Sequence, residues 1–263
     1  MYPLHHEISG NGEPLVLIHG MGSASSAWKL VRPTLDKEFT VITVDLPGHG
    51  KTPYIKGQPM DPHSLGTYVL DQLTTLGIDR FHLAGNSLGG WVSLEMASYE
   101  PDRVRSLVGV APAGLWLNPY SARYPGTAIA RFLARYTAKI APTALHFEAA
   151  RKLGFSDVSP RWKEFSYELC LDATLAMSGA DGYYPAWDGM LMKRFDSFIP
   201  ESVPLTIIFG DTDRTLPATT CQERSVAPTH AKWIIFPDTG HAPMWDAPLD
   251  VVDEIKKVAA LAS

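Results

Sequence analysis

Apolar residues fall along this chain in short, nearly unbroken runs separated by stretches of helical period. Residues 15–18, 40–44, 81–84, 107–110, 205–209 and 232–236 are each dominated by Val, Ile, Leu, Phe and their like. A strand with one wet face alternates, whereas a strand covered on both faces is apolar throughout, as in a parallel sheet. Between the runs, 24–35 carries Trp28, Leu30, Val31 and Leu35 at helical spacing, and helices are also predicted over 65–76, after Ser87 and over 248–261. Strands alternating with helices predict a doubly wound α/β fold, with a mostly parallel central sheet flanked by helices.

The alternation stops near Leu115. From there to Ser197 the chain shows amphipathic helical stretches rich in Ala, Leu, Phe, Trp and Tyr, with no strand among them. An all-helical excursion between two strands of one sheet reads as an inserted cap. The expected division is a first part of the core over 1–114, the cap over 115–197 and a second part of the core over 198–263. Insertions of this kind sit at the carboxyl ends of strands, where ligands also bind. Surface decoration is the competing reading, and the aromatic content of the segment speaks against it.

One apolar run ends in chemistry. Residues 81–84 lead into Gly85-Asn86-Ser87-Leu88-Gly89-Gly90, and the helix-like segment 91–97 follows at once. Gly-x-Ser-x-Gly alone is a weak signal; between a strand and a helix it presents the serine as a nucleophile. Such a turn leaves no room for bulky neighbours, which accounts for Gly85 and Gly89. The Leu88 amide, at the start of the new helix, faces the charge that develops when the serine attacks a carbonyl.

A serine hydroxyl needs a base, and the base needs a third group to fix its tautomer. With this motif the order along the chain is Ser, acid, His. The loop after 205–209 supplies Asp211 and Asp213, and the loop after 232–236 supplies His241, all at the same edge of the sheet. Asp211 directly follows Gly210 and suits turn-type hydrogen bonds; Asp213 lies further out, within reach of an imidazole. The second oxyanion donor is expected from His19-Gly20-Met21-Gly22, as the Met21 amide. His19 and His49, each before a glycine at a strand end, read as structural, as do Asp45 and Asp238 in turns. Trp28, Trp116, Tyr183, Tyr184, Trp187 and Met244 are candidate substrate-binding walls, each against a plain core-packing reading.

Composition narrows the classes. The 263 residues carry a formal net charge of −5 with both signs interspersed, which offers no basic patch and argues against nucleic acid. No apolar run approaches the roughly 20 residues of a membrane helix. The start, Met1-Tyr2-Pro3-Leu4-His5-His6-Glu7, has neither the basic nor the apolar part of a signal peptide. Cys170 and Cys221 follow no metal or redox spacing, and His5 and His6 form no metal set. No phosphate or dinucleotide fingerprint is present. A cytoplasmic protein with reduced thiols is expected, with a small-molecule substrate, no cofactor, no metal, no nucleic acid and no membrane; a homo-oligomer is compatible with this.

With these residues in hand, the chain resembles the α/β-hydrolase superfamily over nearly its whole length. The resemblance rests on His19-Gly20-Met21-Gly22, Asp45-Leu46-Pro47-Gly48-His49-Gly50, Gly85 to Gly90, Gly210 to Asp213 with Pro217, and Gly240-His241 with Pro243. It implies an eight-stranded, mostly parallel sheet with a helical cap inserted after the sixth strand, the first strand being missing or shortened into 4–9. It also implies that Asp213, three residues beyond the glycine, is the catalytic acid. Gly-Asn-Ser-x-Gly-Gly and Gly-His-x-Pro-x-Trp look like both small bacterial esterases and carbon–carbon bond hydrolases of aromatic-ring breakdown. Serine at position 87 disfavours the branches with an aspartate nucleophile. The expected function is a serine hydrolase of a small, largely apolar carboxylic ester, with Ser87, His241 and Asp213 catalytic and the Met21 and Leu88 amides as oxyanion hole. The alternatives are carbon–carbon hydrolysis of a meta-cleavage-type diketone and a non-catalytic ligand-binding homologue.

Overall fold

The computed structural model describes residues 3–123 and 125–262. Met1, Tyr2 and Ser263, the outer ends of the expected division and of the expected leaderless start, lie outside the described residues. Strand β1 is His6–Gly10, β2 Glu13–Ile18 and β3 Phe39–Val44. Helix α1, Arg32–Leu35, lies between β2 and β3, and α2, Pro62–Thr75, precedes β4, Phe81–Asn86. Helix α3, Leu88–Tyr99, leads to β5, Val104–Val110. Five helices follow: α4 Pro125–Thr137, α5 Ala141–Ala144, α6 Glu148–Phe155, α7 Tyr167–Gly179 and α8 Tyr183–Met190. The chain closes with β6 Leu205–Gly210, α9 Ala218–Cys221, β7 Lys232–Phe236, α10 Pro243–Asp246 and α11 Pro248–Ala259.

The seven strands form one sheet in the order β1-β3-β2-β4-β5-β6-β7, with β1 antiparallel to β3 and every other pair parallel. This is the α/β-hydrolase fold. The cap region leaves the sheet after the fifth strand, because the described residues hold seven strands rather than eight. Strand β1, within the segment where the resemblance places a shortened first strand, is the one strand that the periodicity of apolar runs does not reveal. Its sequence, His6-Glu7-Ile8-Ser9-Gly10, holds one large apolar residue, Ile8, which is exposed at the sheet edge, so no apolar run marks it.

Side chains of the inner strands alternate between two cores. Val16 and Ile18 join the core under α2 and α3, whereas Leu15 and Leu17 join the core under α11 and the Trp28 turn. A third, smaller core of Leu145, Phe155, Trp162, Phe165, Leu169 and Cys170 lies within the helical segment. The predicted helix over 24–35 is broken into a 3-10 turn, Ser25–Trp28, and the short α1. Pro33 lacks a backbone donor and fits only a first helical turn, which accounts for the restart. Helix α2 begins earlier than its apolar spacing predicts, because the Asp61 carboxylate accepts the Ser64 N–H (3.3 Å) and Pro62 follows it.

The order of the strands positions the site. The chain runs outward from β2 to β3 and then returns to β4 on the other side of β2, so the direction of winding reverses between β2 and β4. Ligands bind at the carboxyl ends of strands at such a switch. Ile18, the last residue of β2, pairs with Gly85, so the loop 19–22 and the turn at Ser87 emerge side by side.

Gly89 marks how closely these pieces approach. A Cβ there would stand 2.4 Å from the carbonyl oxygens of both Ile18 and His19, a distance real Cβ atoms do not reach. Gly89→Ala is expected to cost at least about 2 kcal/mol in urea unfolding. Gly154, in α6, has nothing within 4 Å of the place a Cβ would take, and Gly154→Ala is expected to stabilise by roughly 0.5–1 kcal/mol. Equal effects of the two substitutions would contradict this packing.

Candidate active site

Ser87 sits in the turn between β4 and α3 with φ 54° and ψ −116°. Positive φ is rare for a residue with a side chain and signals a backbone held by its surroundings. Its N–H donates to the Val110 carbonyl (3.0 Å), and its carbonyl accepts from Trp91 N–H (3.1 Å) and Ala113 N–H (2.9 Å). Gly85 permits the turn, since a Cβ there would meet the Gly89 carbonyl oxygen at 2.2 Å.

The sequence-spaced acid and histidine meet at this serine. His241 Nε2 lies 3.0 Å from Ser87 Oγ, and His241 Nδ1 lies 2.9 Å from Asp213 Oδ2. A carboxylate only accepts, so Nδ1 carries the proton and Nε2 is left to accept from the serine hydroxyl. The Asp213 side chain is fully buried. Its other oxygen accepts from the Thr215 and Leu216 amides at 2.9 and 2.8 Å, which fixes the carboxylate plane. Asp211 is exposed and accepts the Thr239 N–H (3.2 Å), tying the two loops together rather than reaching the imidazole.

The Leu88 amide is the first N–H of α3 and has no intrahelical acceptor. Neither it nor the Met21 amide donates to a backbone carbonyl among the described residues. Gly20 holds the Met21 loop against the serine: a Cβ on Gly20 would fall 3.1 Å from Ser87 Cβ. At Gly22 the space is taken by Met177 of α7 and Tyr183 of α8, whose atoms come within 2.6 and 2.9 Å of a Cβ position. Helices from the cap region therefore cover the loop beside Ser87.

The candidate wall residues do not form one group. Trp28 and Met244 are packed in the core on the α11 side of the sheet, and Trp116 and Trp187 in the core on the α3 side. Trp116 meets Trp91 edge-on, and Trp187 stacks on Tyr120. Core packing accounts for the burial of all four without a ligand. Tyr183 is the aromatic candidate that abuts the Met21 loop. A cavity of about 400 Å³ opens elsewhere, between Asp61, His63, Trp91, Glu95 and Lys193, and its lining includes neither Ser87 nor His241.

Other polar groups that the sequence presents are structural. His19 donates from Nδ1 to the Gly20 carbonyl (2.7 Å) and accepts the Leu46 N–H at Nε2 (3.0 Å). His49 donates from Nδ1 to the Pro47 carbonyl (3.0 Å), and burial pushes its pKa down to about 3. Asp45 accepts the Ser25 and Lys51 amides at 2.7 and 2.9 Å. Cys170 and Cys221 are buried and not bonded to each other. Among the described residues, no three His, Cys, Asp or Glu side chains converge on a metal-sized site, and no helix is long and apolar enough to cross a membrane.

Sequence reasoning missed what holds His241. Asn86 Nδ2 donates to the carbonyls of Val110 (3.0 Å) and His241 (3.2 Å). From the cap region, the Val158 carbonyl accepts the His241 N–H at 2.8 Å. Asp246 is buried and accepts the Gly240 N–H (2.7 Å) and the Ser159 hydroxyl, while Arg161 donates to its carbonyl (2.6 Å). Burial raises the Asp246 pKa. Asp246 follows the Gly-His-x-Pro-x-Trp segment, so an acid so close to the histidine was the available signal; nothing local marks Val158 or Ser159.

A model of the alpha/beta hydrolase family matches residues 15–254, and the chain belongs to that family. It is 29% identical over 251 residues to a pimeloyl-[acyl-carrier protein] methyl ester esterase of Legionella pneumophila, covering 91% of this chain and 92% of the relative. A meta-cleavage product hydrolase from Pseudomonas fluorescens superposes with a TM-score of 0.74 at 19% identity, over 99% of this chain and 95% of that one. The epoxide hydrolase CorEH superposes with a TM-score of 0.76 at 20% identity, over 99% and 95%. At such identities the two structures share the fold, and reaction chemistry is a separate question.

Removing the Asp246 carboxylate frees the Gly240 amide and the Ser159 hydroxyl together. Asp246→Ala is expected to lower the turnover of any His241-dependent reaction, on the order of a hundredfold where the imidazole shifts by about 1 Å. Unchanged turnover would show that the Val158 and Asn86 contacts suffice to place the imidazole.

His49 yields a pH prediction. The unfolded side chain takes a proton below pH 6.5, whereas the folded one, shifted by burial and by His19, does so only near 3. Stability therefore falls as pH drops through this window, by about 1.4 kcal/mol per pH unit for each such group. Urea midpoints between pH 7 and pH 4 are expected to fall less steeply in His49→Asn, by about one proton's worth. Parallel slopes would contradict the assignment.

Proposed function

We propose that the protein is a serine hydrolase that cleaves a small, largely apolar carboxylic ester through an acyl-enzyme. The observation that carries this reading is the unbroken chain from Ser87 Oγ through His241 to the buried Asp213 carboxylate. Ser87 Oγ attacks the ester carbonyl as His241 Nε2 takes its proton, and Asp213 stabilises the imidazolium that results. The Met21 and Leu88 amides hold the oxyanion. As the tetrahedral centre collapses, the C–O bond breaks and the alcohol leaves with the proton from Nε2. Water then attacks the acyl-enzyme with His241 again as base, releasing the acid and free Ser87. Met177 and Tyr183 beside the Met21 loop support an apolar acyl group. The Legionella relative, an ester hydrolase by name, supports the ester bond.

Hydrolysis of chromogenic esters of rising acyl length tests the reading. Turnover is expected to peak at one length and to fall by several powers of ten in Ser87→Ala, because the three groups act as a unit. Full activity in that variant would sink the mechanism. Release of a dienoate from a ring-fission diketone, with no ester turnover, would move the reaction to carbon–carbon hydrolysis. Ligand-dependent stabilisation without turnover on either substrate would make this a binding protein.

A further inference from the structure

We propose that the outer face of α4 docks on an anionic lipid surface. Ile129, Phe132, Leu133 and Tyr136 recur at helical spacing along α4, and Ile140 continues the line beyond its end. Ile129, Phe132, Tyr136 and Ile140 are 57–69% exposed, and the Phe132 and Tyr136 rings lie 4.5 Å apart. On the inward side stands Arg131, buried, donating to the carbonyls of Ser178 (2.8 Å) and Ala180 (3.1 Å) at the end of α7. An amphipathic helix of a water-soluble surface faces its apolar stripe to the core; α4 faces a guanidinium to the core and its apolar stripe to solvent.

Charge names the occupant. Of the chain's 23 Lys and Arg, six lie in 121–153, against one of its 28 Asp and Glu, Glu148. The balanced appearance of the whole sequence therefore hides a basic segment. Of these six, Arg123 pairs with Asp188, Arg131 is buried and turned inward, and Arg135 shares Asp181 with it, but among the described residues Lys139 and Lys152 have no ion pair, and both are exposed. A second copy of this face would bring like charges together. An acidic protein would answer the charges but leaves the aromatic and aliphatic stripe without a matching phase. A bilayer with anionic head groups supplies both, the pattern of interfacial helices with basic residues beside a Phe- and Leu-rich face. The consequence for catalysis rests on the ester-hydrolase reading: Arg131 ties α4 to the end of α7, and Met177 of α7 presses on Gly22. Lipophilic esters would then be taken from the interface to which α4 binds.

Co-sedimentation of the full chain with phosphatidylcholine vesicles, with and without phosphatidylglycerol, tests the docking; Ser87→Ala is used beside wild type so that loss of catalysis cannot imitate loss of binding. Both proteins are expected to bind only the anionic vesicles, less so at high salt. Phe132→Ser with Tyr136→Ser, and separately Arg135→Glu with Lys139→Glu, are expected to weaken binding roughly tenfold or more, with thermal unfolding and soluble-ester turnover unchanged. Equal binding to neutral vesicles, no binding, or binding indifferent to both double variants would overturn the proposal. So would a concentration-dependent dimer abolished by Phe132→Ser, or capture of a small acidic protein without vesicle binding.

Discussion

The backbone of Ser87 at φ 54° is the constraint on which the arrangement of this molecule depends. Relaxed into a common conformation, the serine would turn its hydroxyl away from the loops that complete the site. The turn is held from three strands. β4 delivers it, β5 accepts its N–H at Val110, and the end of β2 lies against Gly89 so closely that no side chain fits. Burial of those strands on both faces is what makes the frame stiff enough to store the strain.

Two further loops then need only the right distance. The one after β6 presents Asp213 with its carboxylate already anchored by two amides. The one after β7 presents His241, whose backbone is held by Asn86 on one side and by Val158 of the cap region on the other. The imidazole is thus positioned from the core and the cap region together, and Asp246 bolts the same two parts through Gly240 and Ser159. The cap region thus does two things at the site: Met177 and Tyr183 cover the Met21 loop, and the segment between α6 and α7 helps to place His241.

Legibility followed the range of the interaction. Doubly buried strands could be read from local runs such as 15–18 and 205–209, and the Gly-Asn-Ser-Leu-Gly turn from sterics within five residues. The meeting of Ser87, His241 and Asp213 could be expected because each follows a strand at one sheet edge. β1 was not visible in the periodicity because His6–Gly10 holds a single large apolar residue, Ile8, and the helix over 24–35 yielded to Pro33. The wall residues were illegible for another reason: an aromatic in a core and an aromatic in a pocket look alike in sequence, and Trp28 and Trp116 lie on opposite faces of the sheet. Contacts from Val158 and Ser159 join segments far apart in the chain, which no local pattern encodes. Charge counted over the whole chain likewise concealed the basic stretch around α4.

The most direct test of the account is to treat the protein with a fluorophosphonate and locate the adduct by peptide mass spectrometry. One stoichiometric adduct is expected, on Ser87, formed slowly or not at all when His241 is replaced by Ala. An adduct elsewhere, or none under conditions where the folded protein is intact, would contradict the claim that Ser87 is an activated nucleophile.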